Sequence, residues 1–138
     1  MTCMKFRINT VLVADDFSGF RQLLQQKLHE NGFPDTVEAV DGLEVVTKAA
    51  ELQPDLVLLD IAMPKLNGIE AAARIRAVAP KSKILFVSQN ADSDVAQSVL
   101  RDGGSGYVCK SEIHHELLTA IEAVLGGGSF ISSGLHPT

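Results

Sequence analysis

Five times along this chain a short apolar run ends at a polar residue and gives way to apolar positions at helical spacing, with no hairpin signal between successive runs. Strands that alternate with helices in this way need crossovers, which lay them parallel in one sheet and put helices over both faces. The expected fold is a doubly wound α/β domain with a five-stranded parallel sheet.

Thr10 to Ala14 is the first run and ends at Asp15 and Asp16. Phe20, Leu23, Leu24 and Leu28 follow at helical spacing, with Ser18 available as a cap and Gly32 as the stop. Thr36 to Val40 is more polar and suits a sheet edge; Leu43, Val46, Ala49 and Ala50 mark the helix after it. Leu56 to Leu59 lies between Pro54 and Pro64 and is apolar on both parities, as a strand buried on both faces should be. That strand surfaces at Asp60. Asn67 and Glu70 then have the spacing of a capping box, ahead of Ile69, Ala72, Ala73 and Ile75. Ile84 to Val87 ends at Ser88, Asp92 is placed to cap the next helix, Val95, Ala96, Val99 and Leu100 form its stripe, and Gly103 ends it. Gly106 to Cys109 ends at Lys110, and Ser111 starts the last helix. Ile113, Leu117, Ala120, Ile121 and Val124 give that helix the cleanest apolar face in the chain. Gly126 to Gly128 terminate it. Residues 1–8 read as a lead-in, 9–127 as the domain, and 128–138 as the start of a linker.

A chain of 138 residues with 46% apolar content fits one domain with a real core. A net charge of −5, without a Lys/Arg cluster, argues against unaided nucleic-acid binding. The apolar run Val11 to Ala14 is stopped by two acids and is too short for a signal peptide or a membrane span, which points to the cytoplasm. Cys3 and Cys109 have no paired spacing and read as free thiols. His114 and His115 are adjacent on a helix and do not face each other, so they suggest a solvated helix start and no metal. The glycine triplet lacks a following Lys-Ser/Thr, which makes it a helix stop and no phosphate loop.

Open parallel sheets place their sites beyond the carboxyl ends of the strands. Asp15, Asp16, Asp60, Ser88 and Lys110 all sit at such ends and are expected to converge on one rim. Singly, each has an ordinary role as a turn acid, a capping hydroxyl or a surface charge; together, on four strand ends, they do not. Crowded carboxylates need a shared proton or a cation, and all-oxygen donors suit Mg2+. With a cation on one side and the Lys110 ammonium and Ser88 hydroxyl on the other, the rim forms a phosphoryl cradle. Asp60 is then the nucleophile that takes a phosphoryl group.

Asp15-Asp16, the DIAMP run at Asp60, Ser88, and GYVCKS with Tyr107 and Lys110 resemble the bacterial two-component response-regulator receiver domain over roughly residues 9 to 127. The segment from Gly104 to Ser132 is similar to NarL/LuxR-type regulators. The resemblance implies a flavodoxin-like receiver fold with strand order 2-1-3-4-5 and a phosphoryl group passed from a sensor histidine kinase to Asp60. It also implies Mg2+ held by Asp15, Asp16, Asp60 and the backbone carbonyl of Ala62. Ser88 would bond the phosphoryl group, Lys110 would pair with it, and Tyr107 would be the switch aromatic for the face of helix four, strand five and helix five. The implied partners are the kinase, a second copy on phosphorylation, and DNA through an output domain outside this chain. Leu117, Ile121 and Leu125 offer a candidate dimer seam, although core burial is the default for them.

Three departures from the common receiver pattern matter. Ser111 stands where proline is frequent, so a trans peptide is expected there. Gln89 and Asn90 are larger than usual beside the phosphoryl site, and Ala62 offers no side-chain base. Slow self-dephosphorylation is the expectation. Two other readings are weaker. A Mg2+-dependent phosphohydrolase with an aspartate nucleophile generally needs a second acid at position 62 and a cap. A flavin carrier needs a Ser/Thr-rich phosphate loop where this chain has acids.

Overall fold

The computed structural model describes residues 10–33, 35–89, 93–101 and 104–132. The lead-in with Cys3, Asn90, the Asp92 cap, the Gly103 stop and residues 133–138 lie outside the described residues. In chain order the elements are β1 (Val11–Ala14), α1 (Ser18–Glu30), β2 (Thr36–Ala39), α2 (Gly42–Leu52), β3 (Leu56–Leu59), α3 (Gly68–Val78), β4 (Lys83–Ser88), α4 (Ser93–Arg101), β5 (Gly106–Cys109), α5 (Ile113–Leu125) and β6 (Phe130–Ile131). A 3-10 turn, Lys110–Glu112, joins β5 to α5, so Ser111 lies in that turn and α5 proper begins two residues later. No described peptide bond is cis, in keeping with Ser111 after Lys110.

The strands form one parallel sheet of order β2-β1-β3-β4-β5-β6. Alternation along the buried strands divides the core. Val11, Val13, Leu56, Leu58, Leu85, Val87 and Val108 face α1 and α5, while Leu12, Val57, Leu59, Ile84, Phe86 and Tyr107 face α2, α3 and α4. Successive strand side chains point to opposite faces, so each strand fills two cores at once, as its apolar parity requires. β2 is only partly buried and forms one edge, as its polar composition suggests.

Among the described residues the sheet has six strands, one more than expected. Residues 130–131, expected in a linker, pair with Gly106 and Tyr107 of β5. The exposed edge of β5 explains this, because its backbone groups need partners and the chain leaving α5 supplies them. Ser132 N–H donates to the Tyr107 carbonyl at 2.9 Å, and Ser132 itself is fully buried.

Helix starts also correct the sequence reading. Asp15 Oδ1 accepts the Phe17 N–H at 2.8 Å and turns the chain early, so Phe17 holds the N-cap position and Ser18 is already helical. Asn67 does cap α3, its Oδ1 accepting from Glu70 N–H at 2.9 Å, and Asp41 does the same for α2. The buried stripes of these two helices are Gly42, Val45, Ala49 and Gly68, Ala71, Ala72, Ile75. Leu43, Ala50, Ile69 and Ala73 are exposed instead. The glycines fix the phase: a Cβ at Gly42 would collide with the Leu66 carbonyl, and one at Gly68 with the carbonyl of Asp60. A reading that counts only apolar side chains gives glycine no weight and misplaces the face. In α5 all five expected positions are buried. Leu117 and Ile121 are therefore core and no dimer seam; Leu118 is the exposed leucine of that helix.

Candidate functional site

Register brings the acids together. Ala14 pairs with Leu59, so the next residues, Asp15 and Asp60, leave adjacent strands side by side, with Asp60 N–H bonded to the Ala14 carbonyl at 3.0 Å. Oxygens of Asp15, Asp16 and Asp60 lie within 4.8 Å of one another, the metal-capable cluster found among the described residues. Asp15 and Asp60 are buried and Asp16 is exposed, which leaves the cluster open on one side. Behind Asp60, the Gly68 N–H bonds the Ile61 carbonyl at 2.7 Å and seats the start of α3 directly under the acid.

Lys110 extends from the end of β5 into this cluster. Its ammonium is 2.7 Å from Asp15 Oδ2 and 3.2 Å from Asp60 Oδ2. The contact with Asp15 is an ion pair without hydrogen-bond alignment, so Asp15 Oδ2 is a buried oxygen that no donor satisfies geometrically. Burial pushes the Asp60 carboxyl up from its ordinary value; the Lys110 charge opposes this and the Asp15 charge adds to it. Lys110 is raised too: burial disfavours its charge, but the contact with Asp15 and the negative charges of Asp60 and Asp15 outweigh that. One ammonium thus stands against three carboxylates. A buried oxygen without an aligned donor, in an all-oxygen set short of positive charge, fits a hard divalent cation.

Asp60, Lys110 and Asp16 open onto a cleft of about 460 Å³ also lined by Phe17, Phe20, Ala62 and Gln89. Ala62 N–H donates to Asp60 Oδ1 at 3.3 Å, holding one carboxylate oxygen. Ser88 ends β4 on the same rim and is buried, paired in register with Cys109. Tyr107 is fully buried in the core beneath α2, α3 and α4. Asp15, Asp16, Asp60, Ala62 and Lys110 therefore meet at one place, with Ser88 at the rim and Tyr107 in the core below it.

The response regulator receiver domain family matches residues 11–122. The chain belongs to this family. Among curated relatives of this receiver domain, the virulence-factor transcription regulator BvgA of Bordetella pertussis is 34% identical over 125 residues, 91% of this chain and 60% of that protein. The chemotaxis protein CheY of Listeria monocytogenes is 31% identical over 112 residues, 81% of this chain and 94% of that protein. A LuxR-family two-component response regulator from Aurantimonas superposes with a TM-score of 0.86 at 31% identity, covering 91% of each chain. The chain spans about 60% of the length of the BvgA relatives it matches. These likenesses disfavour the phosphohydrolase reading. No helix among the described residues is long and apolar enough to cross a membrane.

Two site residues escaped the sequence reading. Phe17 is an exposed aromatic at the mouth, and the Phe20 ring lies with its centroid 4.4 Å from the Lys110 ammonium. Phe20 has the spacing of a core residue on α1, so periodicity hid it. No local signal links it to a lysine 90 positions away.

Proposed function

We propose that this receiver domain accepts a phosphoryl group on Asp60 from a sensor histidine kinase and relays that state to an output. A carboxylate oxygen of Asp60 attacks the phosphorus of a kinase phosphohistidine; the new P–O bond forms as the P–N bond breaks. The leaving imidazole nitrogen keeps the electron pair and takes a proton from solvent. The observation that carries this reading is the Lys110 ammonium set against Asp60 while Asp15, Asp16 and Asp60 share a cation-sized space.

Asp15, Asp16, Asp60 and the Ala62 carbonyl are the groups that would hold Mg2+, which when bound supplies positive charge against the phosphoryl oxygens. Lys110 gives up part of its pairing with Asp15 and neutralises a phosphoryl oxygen on its own side. Ser88 donates its hydroxyl to another. Ala62 N–H keeps the non-attacking Asp60 oxygen in place. The added negative charge makes Ser88 and Lys110 reorganise, and Tyr107, next to them on β5, transmits the change to the α4, β5 and α5 face.

Ala62 carries no base to orient water, and Gln89 narrows the cleft, so self-dephosphorylation is slow and the domain is no turnover enzyme. It acts in the cytoplasm, and contact with DNA is made only through an output domain outside this chain. A second copy is recruited on phosphorylation through α5 with α1 or α4, using exposed positions such as Leu118.

Intact-mass spectrometry after incubation with a small phosphodonor, with and without Mg2+, tests the chemistry. One Mg2+-dependent phosphoryl adduct, absent from Asp60→Asn, is expected. An adduct that persists in Asp60→Asn overturns the assignment. Sedimentation of the phosphorylated sample tests the second copy, and a monomer at high concentration rules it out.

A further inference from the structure

We infer that Phe20 is the positioning residue for Lys110: its ring fixes where the ammonium stands relative to Asp60 and so sets the rate of phosphoryl transfer. The inference rests on Asp60 being the phosphoacceptor. A lysine side chain is long, has many rotamers, and presents a compact charge with no preferred approach. At this rim it has two competing seats, Asp15 at 2.7 Å and Asp60 at 3.2 Å, and the closer one is not the nucleophile. Charge alone therefore draws the ammonium off the reacting carboxylate.

Phe20 provides a third contact of another kind. Its ring centroid is 4.4 Å from the ammonium, well inside the roughly 6 Å reach of a cation–π interaction. The lysine side chain is only 13% exposed, so the attraction acts with little water between. The ring is held from behind: it packs against the core that includes Leu24, Val87 and Ile113, on the first turn of a 13-residue helix. It also lines the cleft into which Asp60 and Lys110 open. Because the ring carries no charge, it takes nothing from the acids and does not compete for a cation. When the pairing between Lys110 and Asp15 loosens, this contact and Asp60 still hold the ammonium. If Phe20 were only a core residue, leucine would replace it at the cost of stability alone.

The test combines kinetics with a spectroscopic signature. The rate constant of adduct formation from phosphoramidate, at fixed Mg2+, is measured for the wild type, Phe20→Leu and Phe20→Tyr, and for the same Phe20 changes in a Lys110→Met background. Phe20→Leu is expected to slow transfer about 3- to 10-fold, Phe20→Tyr to restore most of the rate, and Phe20→Leu to add nothing once Lys110 is gone. An equal loss in both backgrounds shows that Phe20 acts through packing and overturns the inference, as does an unchanged rate in Phe20→Leu. NMR of the unphosphorylated protein supplies the second arm. The Lys110 methylene protons nearest the ammonium should be shifted upfield by the ring in the wild type and in Phe20→Tyr, and not in Phe20→Leu. Lys110 shifts that ignore Phe20→Leu sink the contact itself. If no chain forms an adduct, the phosphoacceptor reading fails, and the NMR arm alone decides whether Phe20 holds Lys110.

Discussion

Two partly buried clusters of polar groups lie at the carboxyl half of this sheet, and they are built to opposite plans. At the rim, Asp15, Asp16 and Asp60 face a single ammonium, and Asp15 Oδ2 has no aligned donor. At the β5–β6 edge, Ser132 Oγ accepts the Cys109 N–H at 2.8 Å and donates to Glu116 Oε1 at 2.6 Å, while its own N–H serves Tyr107. The second cluster is satisfied by the chain itself. The first is left short of positive charge and has a cleft above it. Buried polar groups that close on one another fix a strand in place, whereas those left uncompensated store a demand for something from solution.

Removing one member of each cluster should separate the two plans. Ser132→Ala leaves the buried Cys109 N–H and a half-buried Glu116 oxygen without that hydroxyl, which should cost about 1–3 kcal/mol of unfolding free energy in urea. The phosphorylation rate should change little. An unchanged urea midpoint would mean that β6 is only resting on the edge. Asp60→Asn should act in the other direction and stabilise the metal-free protein by about 1 kcal/mol. The sign follows from the raised Asp60 pKa: its contribution to stability is fully present below the ordinary value of 3.8 and is lost as pH rises through the higher folded value. Above that folded value the ionised Asp60 is thus a cost, which the amide removes. Urea titrations of both proteins without Mg2+ should diverge as pH rises and converge in acid; a wild type that stays more stable at pH 7 contradicts the comparison.

The smallest effect belongs to an acid that lies outside both clusters. Glu44 N–H donates to Asp41, and this bond, with Lys65 nearby, lowers the carboxyl pKa despite some burial. That stability is present above the ordinary 3.8 and lost as pH falls through the folded value. Asp41→Asn keeps an acceptor for the cap, so it should flatten only this acid limb of the stability profile. A limb of unchanged slope would assign it to other carboxylates.

Much of the site was legible because a parallel sheet does most of the assembly. Asp15, Asp60, Ser88 and Lys110 each end a strand or follow one, and parallel strands in register bring their carboxyl ends to one edge whatever the details of packing. The Asn67 cap and the α5 face were equally plain, since both depend on neighbours three or four residues apart. Ser18 was misread because a side chain three residues upstream, Asp15, turned the chain first. The faces of α2 and α3 were legible only in part: Ala49, Ala72 and Ile75 are buried as expected, but Gly42 and Gly68 carry no apolar atoms to mark the positions that close backbone contact fixes.

What the sequence determined by itself is therefore whatever arises from local period and strand polarity: the alternation of strands and helices, the layered core, and the rim where the acids and the lysine meet. What tertiary structure alone decided is whatever joins residues with no period between them. β6 has only two residues and becomes a strand because β5 offers an unpaired edge; Phe20 becomes part of the site because α1 holds its ring beneath Lys110. A pattern in sequence reports what a segment would bury. It does not report which distant side chain will be waiting there.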